Sequence, residues 1–433
     1  MDEETTSRQE HSQDAATDAD AAPLGAGFTT SARGWAVMLL FRFQESTAGL
    51  TSLAFGFFLP FIKDDLGITP VQAGWLQLAN GIPPVVLAVP FTAVFSRFRP
   101  VSLIFWASLV AIPFVVLQAF AVNFVTLFIP RLLFSVFRTT EAPARTLLLQ
   151  QWASRKHYAL VNAIGLSQHS VLLAAAFSTI AIIVGAVGSW RTAFFILSGA
   201  LLAELLVWRS IAREDRAPVQ ALARALRGPM PNPLSILRRY PQLVLLGIVS
   251  YQLGVMWIGM VTFLPTVMKE ERHISLAFSG PLVAFLYFGI IPTAVFGDWI
   301  GRHVPNRKVL LTVTALANTA CGLAITLTPN PWLLMAFMFA LGAVWAPFPA
   351  IQVLPFDFPG IQPREVAMAV SLMGTLGGLG FATGALITGY AAEVTGSLVS
   401  GLLAMSVFTG TGVIAGLLYP SGRTKARVAT LSA

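Results

Sequence analysis

Seven ionisable side chains interrupt the apolar stretches of the first half of the chain: Arg42, Glu45, Arg131, Arg138, Glu141, Arg145 and Glu204. The apolar stretches after residue 242 contain none. A charge in hydrocarbon is costly, and it persists where it pairs, binds or moves a proton. Arg42 and Glu45 are three residues apart and share one helix face. Arg131, Arg138 and Arg145 recur every seven residues and share another. At about 1.5 Å per helical residue, Glu45 and Arg131 each lie roughly 15 Å from a membrane face, close to the midplane. Arg42 and Arg138 fall nearer the face from which Glu45 is counted. An arginine keeps its proton and presents a planar fork to a carboxylate, whereas a glutamate can gain and lose a proton. Reversible capture of an anion by arginine, traded against proton loading of Glu45, is the chemistry these types support.

The elements that must hold such groups are membrane helices. The chain is 433 residues long, 55% hydrophobic and only 11% charged, with a mean hydropathy of +0.72. Apolar blocks of bilayer-spanning length fall near residues 35–62, 71–94, 101–121, 123–150, 158–186, 191–210, 243–268, 277–297, 309–328, 331–353, 366–391 and 397–419. We number these spans 1 to 12. In lipid the backbone must satisfy its own hydrogen bonds, and without strand-like alternation the spans are predicted to be helices. The fold expected is an all-α membrane protein in two six-helix halves.

Residues 1–33 read as a disordered polar tail, 34–211 and 242–419 as the two bundles, 212–241 as a linker and 420–433 as a second tail. The linker region carries seven arginines from Arg209 to Arg239, and Ala221 to Arg227 suits a surface helix. Basic residues crowd the loops on the side of the termini, while the opposite loops hold only Lys63, Arg191, Lys269 and Arg272. That bias places both termini in the cytoplasm and the chain in a cell inner (plasma) membrane. It also accounts for the net charge of +8 without nucleic acid. Cys321 stands alone and reads as a packed small residue.

The two halves echo each other: Phe58-Leu59-Pro60 and Phe263-Leu264-Pro265 each end the first span of a half and enter a charged loop. Between spans 8 and 9 stands Gly297-Asp298-Trp299-Ile300-Gly301-Arg302-His303, followed by Arg307-Lys308. This segment resembles the Asp-Arg-x-Gly-Arg-Arg loop of the major facilitator superfamily, with Trp299 and His303 as departures. The resemblance implies that Asp298, Gly301 and Arg302 gate one face, with Arg97 in the matching loop of the first half. Ser96 stands there where the family usually has Asp. Span 4, with Arg131, Glu141-Ala142-Pro143 and Trp152, is similar to the branch that carries organic anions together with a cation. Counted back from Trp152, Arg131 matches that branch's Arg, and Arg138 fills the place of its Glu. The Gly-x-x-x-Gly-Pro-type motif of drug exporters is missing from span 5.

In the family, spans 1, 4, 7 and 10 line a central cavity. The resemblance therefore implies that Glu45 meets Arg131 there as the proton-coupling group, with Arg131, Arg138 and Arg42 binding substrate. The charge-free half would add Tyr251, Gln252 and Trp345, with Trp257 and Gln352 as further candidates. A permanent structural Glu45–Arg131 pair is the competing reading. Glu141 and Arg145 read as gate or snorkelling groups, and Glu204 as a bond to a neighbouring helix. His169 serves either as packing or as a second proton site. The function expected is a monomeric, proton-coupled symporter of a small organic anion, a carboxylate, working by alternating access without a cofactor, metal or enzymatic activity. Export of neutral or cationic compounds, or a non-transporting receptor, are the alternatives.

Overall fold

The computed structural model describes residues 31–420 except 96–97, 142–143, 146–147, 149–151, 153–157, 188, 214–231, 293–295, 298, 301–302, 353 and 362. Among the described residues the regular structure is helical throughout, and eight helices are long and apolar enough to cross a membrane. The gating candidates Arg97, Asp298, Gly301 and Arg302, and the surface helix expected at 221–227, lie outside the described residues.

Span 1 runs as Ala32–Leu53 and Phe55–Leu66, with a break at Ala54. Spans 2 and 3 are Pro70–Phe95 and Pro100–Ala119. Span 4 begins at Phe124, where Asn123 and Thr126 form a reciprocal capping box. Its first helix ends at Arg138, turns at Thr139 and Thr140, and is helical again at Glu141. Pro143 has no N–H to give the carbonyl four residues back, which is Thr139. Spans 5 and 6 are Tyr158–Val187 and Trp190–Ile211. A short helix, Pro233–Arg239, precedes span 7 and is tied to span 11 by Arg239 and Tyr240, which both donate to Glu365.

In the second half, span 7 is Gln242–Glu270, span 8 Leu276–Ile290, and span 9 Arg307–Leu327. Span 10 is Pro331–Ala343 and Phe348–Gln352, parted at the turn containing Pro347. Span 11 is Pro363–Thr395, and span 12 is Leu398–Thr409 and Thr411–Leu418, parted at Gly410.

Spans 1 and 7 are the most enclosed, with 78% of their apolar windows buried against 33% in span 11. Across the two bundles, span 1 packs on span 7, span 2 on span 11 and span 5 on span 8, as a two-fold exchange of halves requires. Small residues let these backbones meet. Gly56 abuts the carbonyls of Val261 and Thr262, Gly74 abuts Leu386, Gly81 abuts Ala382, and Gly389 abuts Pro70. Going toward the termini along span 11, the seam parts. Gly377 touches only Ser250 of its own bundle, and Gly374 touches nothing. The bundles therefore close on the face that carries residues 63–70, the far face, and diverge toward the face that carries the termini.

Charged residues finish the far-face closure with the same symmetry. Lys63 donates to Glu270 at 2.7 Å, and Lys269 stands 3.9 Å from Asp64, so each half lends the other one cation and one anion. The next acid in each half serves its own bundle. Asp65 accepts from Trp190 Nε1 at 3.0 Å and from Arg191 at the start of span 6. Glu271 accepts from the N–H groups of Leu398 and Val399 at the start of span 12, at 2.9 and 3.3 Å.

Candidate functional site

Four consecutive residues of span 1 reach four different helices. Gln44 Nε2 donates to Ser108 Oγ of span 3 at 2.8 Å. Glu45 accepts from Arg145 of span 4, and also from Arg42 one turn back at 3.0 Å. Ser46 Oγ lies 2.8 Å from His169 Nδ1 of span 5. Thr47 Oγ1 donates to Glu204 Oε1 of span 6 at 2.5 Å. A helix turns about 100° per residue, so four successive polar side chains sweep nearly its whole circumference. Span 1 is thus a polar hub at one level of the first bundle, inside otherwise apolar packing.

Ser46 Oγ lies 2.7 Å from the Arg42 carbonyl, so the same hydroxyl stands between that carbonyl and the His169 ring. With its proton assigned to the carbonyl, the hydroxyl accepts from Nδ1, and in a neutral ring Nε2 is then the acceptor. Gly165, one turn from His169, lies directly against the Arg42 side chain, which explains a residue without Cβ there.

Arg131 occupies a different level. It is fully buried, with its guanidinium 4.2 Å from the centre of the Phe55 ring. Nε donates to Leu76 O at 2.8 Å, Nη1 to Thr51 O at 3.3 Å and Gln118 Oε1 at 3.5 Å, and Nη2 to Ser52 O at 3.3 Å and Gln77 Oε1 at 2.6 Å. With its amide turned so that oxygen faces Arg131, Asn80 accepts as well, at 2.6 and 2.7 Å. The break at Ala54 leaves the Thr51 and Ser52 carbonyls without helical partners, and Arg131 takes them. All its donors are thereby spent on main chain and amides.

The expected meeting of Glu45 with Arg131 therefore does not occur. Its place is taken by Arg145, two heptads further along span 4. The depth count fails because span 1 is 35 residues long, roughly 50 Å at 1.5 Å per residue, so its midpoint lies past Glu45. Arg138 falls between the two levels, donating to Ala48 O at 3.2 Å and to Glu141 Oε2 at 3.2 Å.

These groups wall a cavity of about 360 Å³ between the bundles, on the side of the seam where spans 2 and 11 part. Glu45, Arg138, Glu141, Arg145 and His169 supply its ionisable wall, and Gln77, Asn80, Ser135 and Thr139 its neutral polar wall. A second lobe of about 300 Å³ adjoins it, sharing Leu53, His169 and Phe381, and is lined by Trp257, Tyr287, Trp345 and Phe348. Of the expected second-half contacts, Trp345 and Trp257 line this lobe. Tyr251 instead bonds Thr383 of span 11 at 2.9 Å. Gln252 is buried against spans 9 and 12, donating to Thr411 Oγ1 at 2.5 Å while its carbonyl accepts from Asn318. Gln352 is exposed. Arg42 is not among the described residues of the cavity wall and pairs with Glu45, which is. Asn80, Ser135 and Thr139 went unnoticed because neutral polar residues carry no sequence signal of depth. Arg145 had a signal in Pro143, which predicts the turn that carries it inward.

Two helical bundles closed at one face around a cavity with polar walls define a polytopic membrane transporter rather than an enzyme. The sequence model of the Major Facilitator Superfamily matches residues 35–362, and the chain belongs to that family. It is similar in fold to an inward-facing, unoccupied bacterial homologue of the human lysosomal transporter Spinster, at 16% identity over 90% of this chain and 96% of that one, with a TM-score of 0.68. It is likewise similar to the nucleoside transporter NupG, at 13% identity over 89% and 97% of the two chains, with a TM-score of 0.67. No curated protein matches the chain in sequence.

Proposed function

We propose that this transporter moves a small organic anion, a carboxylate, together with a proton by alternating access across a cell inner membrane. Both termini then lie in the cytoplasm, since the basic loops are on their side. The observation that carries the proposal is Glu45, whose single carboxylate engages two arginines at the edge of the cavity. While Glu45 is ionised, it holds both Arg145 and Arg42 and offsets one of their two charges. Protonation withdraws that charge, and Arg145, with Arg138 beside it, can turn its fork to an incoming carboxylate. Loss of the proton restores the internal pairs and expels the anion. Proton and anion therefore travel together, as a symporter requires. Arg131 serves this scheme from below, holding span 4 against the break in span 1. In the gate on the cytoplasmic face we include Arg97, Asp298, Gly301 and Arg302 by family resemblance. The working unit is one chain, since each bundle pair encloses its own cavity.

The test is uptake into proteoliposomes across a panel of carboxylates, with and without an imposed proton gradient. Accumulation that follows the gradient, and proton movement that follows the carboxylate, are expected. Flux indifferent to the gradient would remove the coupling, and flux of amines but not of acids would remove the anion.

A further inference from the structure

The second lobe has a chemistry of its own. Trp257 meets Tyr287 edge-on, with ring centres 5.2 Å apart, and meets Trp345 edge-on at 5.5 Å. Trp345 in turn lies 5.0 Å from Phe348 and 5.7 Å from Phe381. Among the described residues, the ionisable side chains in its wall are Tyr287 and His169, and His169 lines both lobes. So the cavity is divided: charge on the side of the first bundle, aromatic rings on the side of the second.

We infer that the transported anion is an aromatic acid, its carboxylate held among Arg138, Arg145 and Glu45 and its ring system held among Trp257, Trp345 and Phe381. This rests on the anion reading above and extends it to the other end of the molecule. Three observations carry it. The lobe borders the charged cavity at Leu53, His169 and Phe381, so one ligand placed across that border meets both. Its volume of about 300 Å³ is roughly twice that of a dry cavity known to hold benzene, which suits a bicyclic ring. Its rings present faces and edges at steep angles, the arrangement into which another flat ring fits by edge-to-face contact. A flexible alkyl chain of equal size gains no such geometry and loses more freedom when held.

The experiment measures binding to the full-length protein in nanodiscs by titration calorimetry. The probes are 2-naphthylacetate, decanoate as a chain acid, and 2-naphthylethanol as a neutral ring. Naphthylacetate should bind about tenfold more tightly than decanoate, from edge-to-face contacts the chain cannot make. Trp345→Leu, or Phe381→Leu if the first variant does not purify as a single species, should bring the ratio of naphthylacetate to decanoate down to about one. Decanoate binding as tightly as naphthylacetate, or no saturable binding of naphthylacetate, overturns the inference. Naphthylethanol binding as tightly as naphthylacetate, with both far ahead of decanoate, leaves the ring lobe standing and overturns the anion.

Discussion

Glu45 and Arg131, the two residues that sequence depth placed opposite one another, divide between function and architecture. Glu45 sits at the cavity with two cationic partners, so its neutral isostere should uncouple without unfolding. Glu45→Gln is expected to abolish gradient-driven accumulation while retaining exchange of labelled for unlabelled carboxylate across proteoliposomes. Intact accumulation would place the proton elsewhere, with His169 or Glu204 as the next candidates. Arg131 is the reverse case. Lysine keeps the charge but cannot bond main-chain carbonyls of spans 1 and 2 and three amides at once. Arg131→Lys should cost on the order of 2–3 kcal/mol, seen as a thermal unfolding midpoint several degrees lower in detergent. Arg138→Lys, whose parent faces the cavity, should instead weaken carboxylate binding with little change in that midpoint. The charged residues themselves were legible in the sequence, because hydrocarbon tolerates so few. Their pairing was not, because it depends on where a helix of 35 residues sits along the membrane normal, which hydropathy leaves loose.

At the scale of elements, the apolar blocks located most helix ends to within a few residues, since the backbone in lipid must satisfy its own bonds, but the continuous helices of spans 4 and 8 stop early, at Arg138 and Ile290. The interruptions within spans were legible unevenly. Pro347 and Pro143 announce the turns in spans 10 and 4, but Ala54 and Gly410 carry no comparable mark. Span 2 shows the limit of proline as a signal: its helix runs unbroken from Pro70 to Phe95 with Pro83, Pro84 and Pro90 inside it. The repeat at Phe58-Leu59-Pro60 and Phe263-Leu264-Pro265 foretold more than internal duplication. The charged residues just beyond it form the reciprocal latch of Lys63 with Glu270 and Lys269 with Asp64. Such half-exposed pairs contribute about 0.2–1 kcal/mol each, so losing both changes the balance of conformations by about twofold to roughly thirtyfold. Lys63→Glu should therefore open the far face more often, read as a longer spin-label distance between the far ends of spans 1 and 7. Adding Glu270→Lys should restore the original distribution. A double variant no closer to wild type than the single would mean that the latch contributes nothing.

For the whole molecule, the glycine seam and the latch both describe one end of a rocking motion. Spans 2 and 11 touch through main chain at Gly74, Gly81 and Gly389 and lose contact by Gly374, so the bundles are hinged shut at the far face. Transport by alternating access requires that this seam open in every cycle, because fully buried Phe57, Phe58, Phe263 and Leu264 pack the far-face halves of spans 1 and 7. Close packing of this kind resists gradual deformation, and the bundles must swing as bodies rather than stretch. The sole native cysteine, Cys321, can be replaced by serine to give a clean background. With Lys63→Cys and Glu270→Cys added, a short bis-maleimide should bridge the two halves and reduce uptake to about a tenth or less, as expected when a required conformational step is blocked. A monofunctional maleimide of similar bulk caps the same two thiols without a bridge, and it should leave most of the flux. Equal inhibition by both reagents would mean that bulk at the latch, and not the bridge, stops transport. Undiminished uptake in the bridged protein would mean that substrate crosses without the far face opening, and alternating access would fail for this chain.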